Sequence, residues 1–177
     1  MNTTRIALLL AGVFLGAAAD AREAEMFRVG AYYTVPSNSL VRFANFTQND
    51  NTAHFSGRFT LSGTYVYGWV EGSWFKLYFV PDKQIAARLP HVADNEPVHE
   101  LLFTNDQDFI AAVVAPTVAA KLKRRKIKSI TGRATVDVEA YWINVECGVE
   151  YYGVKFVSVS GPMTAELTQD PIPASSC

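Results

Sequence analysis

Hydrophobic and polar positions alternate with a period of two through FSGRFTLSGTYVYGWV, residues 55–70. Phe55, Gly57, Phe59, Leu61, Gly63, Tyr65, Tyr67 and Trp69 share one face, and Ser56, Arg58, Thr60, Ser62 and Thr64 the other. That spacing predicts a half-buried strand of unusual length. Gly63 in its middle predicts a bulge or sharp coil, which lets one strand serve two sheets. A second strand is expected over 74–80, WFKLYFV, after the turn Glu71-Gly72-Ser73, with Pro81-Asp82 ending it. Residues 83–89 and 98–104 are shorter apolar stretches separated by Pro90 and a polar loop. Alternation returns over 129–142, with Ile130, Gly132, Ala134, Val136, Val138 and Ala140 inward, and a last strand follows over 149–159. Upstream, 27–35 and 40–46 read as an N-terminal hairpin around Pro36-Ser37-Asn38. Beyond Pro162 the chain reads as an irregular tail, 163–177.

One segment has helical spacing. Asn105 is placed to cap it, Asp106 and Asp108 suit its first turn, and Ile110, Val113, Val114, Val118 and Leu122 form its apolar stripe. Pro116 predicts a kink, or two short helices of which the second starts at the proline. Around Leu122 and beyond it the chain carries Lys121, Lys123, Arg124, Arg125, Lys126 and Lys128, six cations in eight positions. Lys121 and Arg125 fall on the apolar stripe, and burying unpaired charge there is costly. The helix is therefore expected to end by about residue 124, leaving a connector that enters the strand at Ser129. Cations at a helix C-terminus also offset its dipole.

From residue 55 the order is a long glycine-bent strand, two strands, a helix and two strands, and in that order the chain resembles the OB-fold. The resemblance implies a mainly β domain: a small Greek-key β-barrel with a helix between its third and fourth strands, here spanning 22–162 with the N-terminal hairpin added. A larger antiparallel sandwich or up-and-down barrel is the competing architecture. Gly72-Ser73-Trp74 matches the lipocalin G-x-W in letters but not in position, since that motif belongs in a first strand. OB barrels often bind through aromatic platforms beside a basic groove. Trp74 and Tyr78, together with the run from Lys121 to Lys128, are the candidate binding residues. Tyr65, Tyr67 and Trp69 share the apolar face and are read as core.

The chain ends add a compartment. Residues 1–21 join Arg5 to an apolar stretch from Ile6 to Ala19 and close on Ala19-Asp20-Ala21, the form of an export signal cleaved after Ala21. The expected location is periplasmic or secreted, with no later apolar run of membrane length. Charge is balanced overall, 16 basic against 17 acidic residues, so no global field favours nucleic acid or a membrane. Without the six clustered cations, though, ten basic residues face 17 acidic ones, so the charge is polarised. Cys147 and Cys177 in an exported chain invite a bridge that would pin the tail to the body. The other possibility is a buried thiol at Cys147 and a free Cys177. Asn45-Phe46-Thr47 is a glycosylation sequon, without meaning if the short alanine-rich leader is bacterial.

Chemistry is not legible in the motifs. The chain holds no G-x-S-x-G elbow, H-E-x-x-H helix, C-x-x-C pair or phosphate-cradling glycine loop. His54, His91 and His99 are scattered; His91, His99 and Glu100, with Asp94 and Glu96, read as a solvated loop rather than a metal site. Cys147 would be occupied by the bridge, and Asp137 and Glu139 share a strand face with no cleft. No catalytic residue, metal or cofactor is expected. The function expected is a non-enzymatic binding module that recognises an envelope or secreted protein, or an anionic polymer, through the barrel surface and residues 121–128. A secreted enzyme inhibitor and a structural component of an envelope complex compete with it. Export disfavours a third class, single-stranded nucleic-acid binding.

Overall fold

The computed structural model describes residues 33–70, 75–92 and 97–172. The leader with Ala21, the 27–32 part of the expected hairpin, Trp74, Asp94, Glu96 and Cys177 lie outside the described residues. The fold is mainly β, as the alternation predicted. In chain order the elements are β1 (Tyr33–Thr34), β2 (Arg42–Thr47), β3 (Thr52–Trp69), β4 (Phe75–Pro81), α1 (Lys83–Ala86), β5 (His91–Val92), β6 (Leu102–Phe103), α2 (Asp106–Val113), α3 (Pro116–Lys123), β7 (Ser129–Glu146), β8 (Val149–Val159) and β9 (Glu166–Thr168). No helix among the described residues is long and apolar enough to cross a membrane.

Two 18-residue strands, β3 and β7, pair antiparallel along almost their whole length and form the spine. The far edge of β3 pairs with β2 over Arg42–Thr47 and with β4 over Gly63–Trp69, so one strand does serve two neighbours. The bend that permits this lies at Gly57, whose φ of 138° favours glycine, and not at Gly63. Ser56 and Gly57 stand opposite Ala140 alone, a bulge in the ladder. Gly63 keeps regular register with Pro81 and Ala134; a Cβ there would lie 2.2 Å from the Val80 carbonyl oxygen, so close strand approach is what requires it. Ala140 carries a φ of 53° and is exposed, because the bulge turns the strand over and sends Tyr141 inward instead. The inward series read from the sequence therefore holds to Val138 and then changes phase.

Other expectations shift as well. β1 pairs with β5, and β2 pairs with β3, so the described end of 27–35, residues 33–35, makes no hairpin with 40–46. Within the apolar stretch 83–89, Lys83–Ala86 forms one helical turn. The supposed irregular tail carries β9, which pairs with Ser129–Thr131, and Ile172, which is buried and whose N–H donates to the Trp69 carbonyl at 2.8 Å. The helix splits at Pro116 as expected, with the proline in the first turn of α3.

The inner faces of β3, β4, β7 and β8 curl around α2. Phe109, fully buried and absent from the helical stripe read above, is the plug: its ring stacks on Phe103 at 4.5 Å and meets Tyr65, Phe79 and Phe156 edge-on. Edge-to-face geometry of this kind adds about 0.5–1.5 kcal/mol per pair beyond burial. Buried tyrosines fasten loops to the sheet. Tyr141 donates to the Pro90 carbonyl, the Val92 N–H donates to the Tyr152 hydroxyl at 3.2 Å, and Tyr65 donates to the Thr164 carbonyl at 3.1 Å. Across the open side, Leu101 bridges to Phe79 of β4, and β6 runs parallel to Gly153–Val154 of β8. These pairings are one to two residues long, and the sheet is not closed into a barrel.

Candidate functional site

The inner face of the spine runs out of core at one end. Tyr65 is fully buried, whereas Tyr67 and Trp69, two and four residues on, are only half-buried. Phe75 starts β4 opposite Trp69 in the ladder and is 37% exposed. The three rings form one patch: Phe75 lies 4.1 Å from Trp69 and 5.5 Å from Tyr67, centroid to centroid. Burial, and then Asp106 nearby, push the Tyr67 hydroxyl above its ordinary pKa. It therefore stays a neutral donor at physiological pH.

The C-terminal end of α3 closes over this patch. The Trp69 indole N–H donates to the Leu122 carbonyl at 3.1 Å, and its backbone N–H donates to the Lys128 carbonyl at 2.9 Å. Around Arg124 the chain makes a Schellman stop: the Lys126 N–H bonds to the Lys121 carbonyl at 3.0 Å and the Arg125 N–H to the Leu122 carbonyl at 2.9 Å. This motif puts Arg125 in the left-handed region, φ 55°, where glycine is the usual occupant. A side chain there costs about 1–2 kcal/mol. The Arg125 guanidinium lies over the Trp69 ring, 4.5 Å from its centroid. A partly exposed cation–π contact returns only about 0.5–1 kcal/mol, so the contact does not clearly offset the strain.

The rest of the basic run surrounds that stack. Lys121, Lys123, Arg124 and Lys126 are exposed, Lys128 is half-buried and Ile127 anchors the connector in the core. The helix ends at Lys123 and the strand starts at Ser129, as the charge argument required. The tail clamps the connector from outside: the Gln169 side chain donates to the Lys126 carbonyl at 2.7 Å and the Lys128 N–H to the Thr168 carbonyl at 2.9 Å. Among the described residues, the ion pairs are Arg58–Asp137, Lys76–Glu100, Arg133–Asp82 and Lys155–Glu139, and none of them uses a cation of this run.

Tyr78 does not join the run. It alternates with the buried Leu77 and Phe79 and so faces the other side of β4, under the Lys76 ammonium that pairs with Glu100 at 2.8 Å. Burial raises its pKa, Glu100 adds to the rise and Lys76 opposes it. Trp69, Phe75 and Tyr67 take the place that Tyr78 was expected to fill. The signal lay in the sequence: an aromatic alternation that outruns the core length ends on rings that the described residues cover only in part.

The remaining candidates separate. His54 sits in β3 opposite Trp142, the His91 ring meets the Leu89 carbonyl at 3.2 Å, and His99 is exposed. No group of three or more metal-ligating side chains forms among the described residues. Asp137 is held below its ordinary pKa, chiefly by the Thr60 hydroxyl and then by Arg58, which marks a satisfied acceptor on the polar face rather than a proton donor. Cys147 is exposed at the β7–β8 turn, with φ 52°, beside a cleft of about 360 Å³ lined by Asn49, Asp50, Asn51, Asn144 and Glu146. Ile172 is bonded at the opposite end of the spine, so the expected bridge would have to cover that length with the five residues that follow it, a reach of about 17 Å.

No family model, no curated protein and no solved structure matches this chain.

Proposed function

We propose that the chain is an exported, non-enzymatic binding module of OB-like architecture that recognises an anionic partner through the end of α3. One observation carries the reading: an arginine kept in a left-handed position and stacked on Trp69, within a run of cations that find no carboxylate among the described residues. A cationic surface of this kind raises the local concentration of anions and speeds their encounter. The barrel reading draws support from the order of neighbours. β4 and β7 flank β3, Leu101 and β6 link β4 to β8, β8 returns to β7, and both longer helices fall between β6 and β7. Export rests on the leader-like pattern of residues 1–21.

Replacing Lys123, Arg124, Arg125 and Lys126 together by glutamate tests the reading. The variant is expected to lose retention on an immobilised polyanion at low salt, while its thermal melt stays within a few degrees of the parent, since all four side chains are exposed. Retention unchanged by the four reversals would remove this surface from the function.

A further inference from the structure

The aromatic patch and the stacked arginine together specify more than charge. Arg125 is held at both ends, by the helix stop at its backbone and by Trp69 beneath its guanidinium. Trp69 is fixed in turn by its bonds to Leu122 and Lys128. A guanidinium lying over a ring keeps N–H donors on the side away from the ring, and a pair of them suits a planar carboxylate accepting two bonds. Phe75 packs against the same Trp69 and against Tyr67 and is more than a third exposed. Phe75 is held from behind by Tyr67 and Trp69, and its exposed part leaves an apolar surface for the C–H groups of a ligand. The exposed Lys121, Lys123, Arg124 and Lys126 continue the positive surface.

We infer that Arg125, Trp69 and Phe75 form a subsite for one uronate unit of an acidic polysaccharide, its carboxylate on Arg125 and the C–H face of its ring on Phe75. Neighbouring carboxylates along the polymer meet the lysines of the run. This rests on the anion-binding reading above and names the partner class for the same surface. A single-stranded nucleic acid would use the same aromatic face, but export directs the chain away from it.

Titration calorimetry on the full chain tests the inference with five probes: oligogalacturonate, its fully methyl-esterified form, polyglutamate, oligodeoxythymidylate and phosphatidylglycerol vesicles. The oligogalacturonate is expected to bind in a salt-sensitive way. The ester, which keeps the ring and loses the charge, and polyglutamate, which keeps the charge and lacks the ring, should each bind about tenfold or more weakly. Oligodeoxythymidylate should also be the weaker ligand. The decisive variant is Arg125→Gly. Glycine favours the left-handed position, so this variant is expected to melt at or above the parent temperature while losing about tenfold in oligogalacturonate affinity. Phe75→Ala should lose affinity for oligogalacturonate and leave polyglutamate binding unchanged. Equal binding of polyglutamate, tighter binding of oligodeoxythymidylate or of phosphatidylglycerol vesicles, or an Arg125→Gly variant that binds normally would overturn the uronate subsite. If neither polyanion binds at all, the anion-binding reading falls with it; if both bind alike and only the four-glutamate variant loses them, that reading stands without the subsite.

Discussion

Asn105 occupies a helix N-cap, yet its side chain makes no cap bond. Its amide turns instead to β8: the Phe156 N–H donates to its Oδ1 at 2.8 Å, and its Nδ2 donates to the Phe156 carbonyl at 3.0 Å. A side chain that both accepts from and donates to one residue imitates a strand partner, and it lengthens the short parallel ladder Leu102–Phe103 against Gly153–Val154 by one rung. Removing it strips both bonds to Phe156, each worth about 1 kcal/mol net, together with the exposed Nδ2 donation to Asp108 Oδ2 at 2.9 Å, and leaves partly buried backbone groups unpaired. Asn105→Ala should therefore lose about 2–3 kcal/mol, or about 4–12 °C in melting temperature for a chain of this size. Asn105→Ser is the sharper variant. Serine is as good an N-cap as asparagine, so a capping role predicts almost no loss, whereas serine cannot supply both halves of the amide pair and should lose about 1–2 kcal/mol. Urea denaturation of the three proteins, with m-values compared, measures it. An Asn105→Ser variant within about 0.5 kcal/mol of the parent would refute the ladder reasoning.

Two further outcomes follow from the same geometry. Ala140→Gly should stabilise the chain by about 0.5–1 kcal/mol, because a Cβ at φ 53° is strained and the position is exposed; the check is the same denaturation curve, and a loss of stability would show that the bulge needs the side chain. Burial raises the pKa of Tyr65 and Tyr67, lifts Tyr152 to about 12 and holds Tyr141 well above 10. The fold favours the neutral phenols, so their contribution is whole below pH 10, the ordinary value, and is lost as pH rises through 10 to 12 and beyond. Tyrosinate absorbance should therefore rise late and together with unfolding. Full ionisation near pH 10 with the fold intact would contradict this.

Much of the spine was legible because period-two alternation is a local signal. The two long strands, the split at Pro116 and the end of α3 within the basic run all follow from patterns within about twenty residues. What escaped depends on partners distant in sequence. The phase change at Ala140 is set by the bulge across the ladder at Gly57, and no pattern inside 129–142 announces it. β9 is three residues long with exposed Glu166 and Leu167, and it exists because β7 offers it an edge. Phe109 was missed for a related reason: its partners Phe79, Phe103 and Phe156 come from three strands, and a helical stripe counted along one segment cannot see them.

The same distinction bears on the proposed binding surface. The six cations were visible at once, but a helix end explains cations without any ligand, and on charge alone the two readings are equal. What separates them is Arg125. A helix stop that needed only a good fold would carry glycine at that position, and a surface that needed only charge would not hold its guanidinium against a tryptophan fixed by two hydrogen bonds. Local rules broken without an evident compensating gain tend to mark function. Here the rule is broken at a residue whose side chain joins the basic run to the partly covered aromatic rings.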